Sequence, residues 1–152
     1  MENLYSGSCH CGAVRYRARL DLAAGTCCCN CRCCAKIRSW GALASDFELL
    51  QGGEVLGDYV KVRDDASIHH HFCTRCGVTV YGHGYVPEVG RAFVAVQLST
   101  LGGASIKEPV SGAVRHSEGR NDNPREPRLT PRRRRSRSAS AGGVGEKVGT
   151  AA

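Results

Sequence analysis

The sequence predicts a mainly β domain pinned by clustered cysteines. Three observations support this. Short apolar runs alternate with period two, as in Val14, Tyr16 and Ala18 between Arg15, Arg17 and Arg19. No long stretch carries a helical apolar stripe. The chain has 10 cysteines, all at or before Cys76.

Taken in order, Gly7 to Leu20 reads as strand material after a glycine turn. Ala23-Ala24-Gly25-Thr26 leads into the run Cys27-Cys28-Cys29-Asn30-Cys31-Arg32-Cys33-Cys34. Phe47-Glu48-Leu49-Leu50 followed by Gln51-Gly52-Gly53 predicts a short strand and a turn. Tyr59 to Val62 alternates again, and Ile68 to Phe72 predicts a strand delivering Cys73. Val78 to Tyr81 is β-prone, and Phe93 to Leu98 is the strongest strand signal. Short strands punctuated by glycine make a mainly β domain over residues 1–114.

The segment 115–152 differs in kind. Up to Val114 there are 11 Lys/Arg against 10 Asp/Glu; from Arg115 onward there are 10 against 4. The net charge of +7 therefore describes the tail, and a basic nucleic-acid-binding fold is excluded for the domain. The tail holds Arg132-Arg133-Arg134-Arg135-Ser136-Arg137 and too little apolar content to offset its ordering entropy, so a disordered basic tail is expected. Such a block suits nucleic-acid contact or nuclear import, with an inert flexible tail as the plain alternative. No apolar stretch approaches the roughly 20 residues of a membrane span. The chain start shows no secretory pattern, so an intracellular, reducing and cytoplasmic setting is expected.

Cys9-x-Cys11 and Cys73-x-x-Cys76 are two local chelates that together suit one closed, all-thiolate zinc site. Gly12 and Gly77 follow them, where a tight turn can aim backbone N–H groups at the sulfurs. In the middle run, Cys29, Cys31 and Cys34 form C-x-C-x-x-C, three ligands that would leave zinc an open position. A second register, Cys28-x-x-Cys31-x-x-Cys34, supplies three sulfurs at helical spacing, and Cys27 or Cys33 could close the shell. Arg32, Lys36 and Arg38 could attract an anionic thiol, or form a solvated face. His69, His70 and His71 would alternate faces on a strand and serve packing or hydrogen bonding around the metal. His83 in its glycine-flanked loop is a candidate for substrate contact, and Trp40 is expected in the core.

These residues resemble the glutathione-dependent formaldehyde-activating enzyme family, which includes centromere protein V. The similarity rests on Gly7 to Tyr16, on Cys29-Asn30-Cys31-Arg32-Cys33-Cys34 and on His70 to Val78, and it spans about residues 6 to 101. It implies a β-tent fold holding two zinc ions. Cys9, Cys11, Cys73 and Cys76 would hold a structural zinc; Cys29, Cys31 and Cys34 would hold the catalytic one. It also implies a carbon–sulfur lyase joining a thiol such as glutathione to a small aldehyde such as formaldehyde. Cys27, Cys28 and Cys33 depart from the family pattern. The alternative function is a non-catalytic zinc scaffold whose basic tail binds nucleic acid or chromatin. Three sulfurs around the middle metal favour the enzyme; four favour the scaffold.

Overall fold

The computed structural model describes residues 1–63, 66–86, 90–102, 112–118 and 125–129. Its strands are β1 (Asn3–Ser8), β2 (Arg15–Leu20), β3 (Thr26–Cys29), β4 (Trp40–Gln51), β5 (Leu56–Arg63), β6 (Ala66–Cys73), β7 (Thr79–Val86), β8 (Arg91–Gln97), β9 (Val114–Glu118) and β10 (Arg125–Leu129). The helix α1 (Arg32–Ile37) joins β3 to β4. Among the described residues no helix is long and apolar enough to cross a membrane. The fold is mainly β, as expected.

The strands run in the order β10-β9-β3-β4-β8-β7-β6-β5, and β2 joins β4 while carrying β1 on its other side. All pairings are antiparallel except β3 with β9. β4 organises the sheet because it is long enough to serve three partners. Its first residues pair with β3 and β8, and its second half pairs with β2.

The core follows from the alternation in the sequence. Along β2 every second residue turns inward, so Tyr16, Ala18 and Leu20 are buried and the arginines between them are exposed. With Val14, Val80, Val96 and Leu98 they form one apolar cluster. Tyr16 lies against Phe47 at 5.4 Å between ring centroids, and Phe47 lies against Tyr81 at 4.5 Å. This ring ladder ties β2, β4 and β7 together across the sheet's curvature. The Tyr16 hydroxyl, fully buried, pairs with Thr100 Oγ1 at 2.8 Å, and Thr100 donates to the Gln97 carbonyl at 2.7 Å. Burial of a phenol is thereby matched by a partner. Trp40 packs against this core, as expected, and its indole N–H donates to Thr26 Oγ1 at 2.9 Å.

Three differences from the sequence reading concern pairing rather than composition. The strand expected over Phe47–Leu50 is the second half of a 12-residue strand. A strand precedes the first cysteine pair as well as following it. Two strands lie in the segment read as tail: β9 pairs with β3 from Thr26↔Val114 to Cys29↔Ser117, and β10 pairs with β9. β9 has little apolar character, and its place is held by main-chain bonds such as Thr26 N–H to the Ala113 carbonyl at 2.9 Å. The Arg132–Arg137 block lies outside the described residues.

Candidate metal centres and the adjoining cavity

The first centre sits where two chain reversals meet. Between β1 and β2, the Cys9 N–H donates to the Val14 carbonyl at 3.1 Å and the Gly12 N–H donates to the Cys9 carbonyl at 3.1 Å. Between β6 and β7 the pattern repeats: Cys73 N–H to the Val78 carbonyl at 3.0 Å and Gly77 N–H to the Cys73 carbonyl at 2.7 Å. Gly12 and Gly77 both take the left-handed conformation, φ 73° and 72°, that such a reversal needs. The Val14 N–H then reaches the Cys9 sulfur at 3.3 Å.

These loops bring the sulfurs of Cys9, Cys11, Cys73 and Cys76 within 4.8 Å of one another. Cys9 and Cys11 are 3.5 Å apart, and Cys11 and Cys73 are 3.7 Å apart. Four thiolates at ~2.3 Å from a tetrahedral zinc would be separated by about 3.8 Å, so the cluster fits that ion. The electrostatics agree. The Cys11 and Val78 N–H groups bring Cys76 down to about 6. For Cys11 the Ala13 N–H pulls downward, but the neighbouring sulfurs and burial outweigh it and push the thiol up to about 11. The four cannot ionise together without a cation among them.

The second centre is built at one end of β3. Cys29 closes that strand, Cys31 caps α1, and Cys34 lies in its first turn. The Cys31 N–H donates to the Cys29 sulfur at 3.4 Å, and the Cys34 N–H donates to the Cys31 sulfur at 3.4 Å. All three sulfurs lie within 4.8 Å of one another. A hydrogen bond from the Cys34 thiol, with help from the Cys31 N–H and the Ser117 hydroxyl, holds Cys29 down to about 5 against its burial. Its bond to Cys29, and then burial, push Cys34 well above the ordinary thiol range. One negative sulfur is thus already stabilised beside two others, which is a donor set suited to a thiophilic divalent ion.

Among the described residues no fourth Cys, His, Asp or Glu joins this group. The second register does not converge: Cys28 directly precedes Cys29 on β3, where successive side chains alternate faces, and it is not among the three sulfurs that lie within 4.8 Å of one another. Cys27 is exposed and lies outside the three-sulfur group. Cys33 points instead into a neighbouring cavity.

That cavity, about 580 Å³, is lined by Arg32, Cys33, Lys36 and Ile37 from α1, Tyr59 and Lys61 from β5, His70 and Phe72 from β6, and Thr79. It borders the helix that carries Cys34. His70, in its wall, is close enough to Cys29 for the thiolate's charge to act on it. Of the expected cations, Arg32 and Lys36 line the cavity. Arg38 does not; it adopts φ 55° and ends the helix, its N–H donating to the Cys34 carbonyl. Lys61 and Ser117 escaped the sequence reading, since only strand pairing brings them near. His83 lies away from the cavity, stacked with His69 and His71.

Burial, aided by Lys61, holds His70 below the usual histidine range, and burial does the same for His71. A histidine whose folded value lies below its unfolded one, ~6.5, adds stability that is complete above 6.5 and is lost as pH falls. The thermal midpoint should therefore drop between pH 7.5 and pH 5.5. Protonation of the cysteines acts in the same direction, so the check is a difference measurement. The drop should be shallower in His70→Gln, and equal slopes in the two proteins would refute the contribution.

Comparison with known proteins agrees with this architecture. The sequence model of the family described as "Glutathione-dependent formaldehyde-activating enzyme" matches residues 4–114. Among solved structures, the crystal structure of a Rhodobacter sphaeroides protein matches with a TM-score of 0.57 at 27% identity, covering 72% of this chain and 98% of that one.

Proposed function

From the premise that this chain belongs to the glutathione-dependent formaldehyde-activating enzyme family, we propose that it is a zinc-dependent carbon–sulfur lyase joining an anionic thiol to a small aldehyde. The observation that carries this is the three-sulfur group of Cys29, Cys31 and Cys34, without a fourth protein ligand among the described residues, next to a cation-rimmed cavity. Cys9, Cys11, Cys73 and Cys76 are assigned the structural ion.

Bound at the three-sulfur group, zinc would supply a Lewis acid with one position open to a substrate thiol or carbonyl. The chain's own residues do the rest. Arg32, Lys36 and Lys61 give the cavity a positive rim that draws a thiol bearing carboxylates, as glutathione does. Ile37, Phe72 and the ring of Tyr59 form apolar wall that limits water. The Ser117 hydroxyl and the Cys31 and Cys34 N–H groups hold the ligating sulfurs in place. His70, kept neutral by burial, can accept the thiol proton and return it to the carbonyl oxygen. The balance is simple: the thiol's S–H bond and the carbonyl's π bond break, a carbon–sulfur bond and an O–H bond form, and nothing is oxidised.

The test combines metal content with turnover. Two zinc ions per chain are expected, with X-ray absorption fitting one all-sulfur shell and one of three sulfurs plus a lighter atom. Two-dimensional exchange NMR should show glutathione and its formaldehyde adduct interconverting faster with protein than without. Four sulfurs at both metals, or an unchanged exchange rate, would reject the reading.

A further inference from the structure

β9 pairs with β3 in parallel, and the pairing ends at the second centre. Its register runs Thr26↔Val114, Cys27↔Arg115, Cys28↔His116 and Cys29↔Ser117. Registered residues of neighbouring strands turn to the same face. Ser117 therefore stands beside Cys29, and His116 stands beside Cys28 on the other face. The Ser117 hydroxyl hydrogen-bonds the Cys29 sulfur. The Ser117 carbonyl accepts the Asn30 N–H at 3.1 Å. Asn30 lies between Cys29 and Cys31. One residue of β9 thus holds a sulfur of the group and also the backbone that spaces it from the next. Ser117 lies beyond residues 4–114, the part matched to the family.

The two segments meet main chain on main chain. A Cβ on Gly112 would meet the Leu22 carbonyl at 2.5 Å, and one on Gly25 would meet the Ala113 carbonyl at 3.0 Å. Glycine on each side is what permits that approach. The receiving side is anchored, since Leu22 and Thr26 are buried. The arriving side is not: from Val114 to Ser117 no side chain is buried. A strand that buries no side chain is held by its ladder and by what it meets at its end. Such elements belong to the least stable part of a fold, so a partner at one end can decide whether they are docked.

We infer that Ser117 is a positioning residue of the second centre and that β9 is a strap coupled to it, an inference that rests on reading that centre as a zinc site. Metal at Cys29, Cys31 and Cys34 holds β9 docked, and docked β9 strengthens the metal by the same factor. A hydroxyl donating to a ligating sulfur fixes its direction, and loss of such a partner typically costs about 10–100-fold in metal affinity. The cost falls on this ion alone. The four-cysteine centre is built by the reversals between β1 and β2 and between β6 and β7, and β9 neighbours only β10 and β3.

The test withdraws zinc from the full-length two-zinc protein with a chelating dye and follows amide hydrogen exchange by mass spectrometry. In wild type, residues 26–30 and 114–117 should lose protection together as the first equivalent leaves. Residues 9–14 and 73–78 should stay protected until the second leaves. This pattern needs no variant. Ser117→Ala should release the first equivalent about 10–100-fold more readily, and Ser117→Thr, which keeps the hydroxyl, should behave as wild type. His116→Gln, on the other face of β9, should change nothing. The strap is overturned if Ser117→Ala holds both ions as wild type does, or if Ser117→Thr is as weak as Ser117→Ala. It is also overturned if residues 114–117 exchange independently of the first equivalent. Wild type holding one zinc would overturn the proposed lyase centre with it, whereas two ions held unchanged in Ser117→Ala would overturn the strap alone.

Discussion

Cys73→Ser should yield a protein with one zinc fewer and no fixed tertiary packing. Cys73 is fully buried at the end of β6, and its partner Cys9 is 2% exposed at the end of β1. The two chain reversals they anchor are far apart along the sheet, since β4, β8 and β7 intervene between β2 and β6. Among the described residues no main-chain ladder joins them, so the sheet must curl for the sulfurs to meet, and an ion at the four sulfurs would hold that curl. Structural zinc binding in small domains is worth on the order of 10 kcal/mol. A whole domain of this size is stable by about 5–15 kcal/mol. Serine does not ionise in this range, and it leaves three crowded sulfurs around a weak oxygen donor. Loss of the clamp therefore outweighs what the remaining core supplies. Near-UV circular dichroism and metal content would check it. A cooperative unfolding transition close to that of wild type would show that the four cysteines do not stabilise the fold as a metal site.

The cysteine groups of both candidate centres were legible because each pair or triplet is a local cluster, set by spacing along the chain rather than by the fold. β2 was legible for a related reason: one face is buried and the other wet, so Tyr16, Ala18 and Leu20 write the pleat into the sequence. The first half of β4 carried no such mark. It runs through Gly41 and Ala42 between β3 and β8, where a side chain on Gly41 would meet the Val96 carbonyl at 3.0 Å. Small residues are demanded there, and small residues are weak strand signals. β9 was silent because its place depends on main-chain pairing with β3. The surroundings of the second centre suffered most. Ser117 reaches Cys29 only through that parallel pairing, and Lys61 reaches the cavity only through the β5–β6 hairpin. Arg38, close in sequence, is itself the left-handed residue that ends α1 and does not line the cavity. Proximity along the chain identified the sulfur groups well and their neighbours poorly.

Cys31→Ser should separate chemistry from folding, and the reason lies in the second role of Cys31. Its sulfur caps α1 by accepting the Cys34 N–H, and the residue is 4% exposed. Serine is among the preferred residues at a helix N-cap, so the hydroxyl keeps the cap and the six-residue helix keeps its start. A hydroxyl does not become a thiolate near neutral pH, so the metal-binding group falls from three sulfurs to two. It also removes one of the groups that hold the Cys29 charge. The expected protein is folded, keeps the zinc of the four-cysteine centre, and loses the other. Removal of a preorganised electrostatic stabiliser typically costs about 100- to 1,000-fold in turnover, and loss of the ion itself should cost at least that. The measurement is exchange rate and zinc content on the same sample, beside its thermal midpoint. Wild-type turnover in Cys31→Ser would exclude Cys31 from the reaction. A collapse of the midpoint would mean that this centre also holds the fold. The contrast with Cys73→Ser is the stronger evidence: one cysteine should remove structure with activity, the other activity alone.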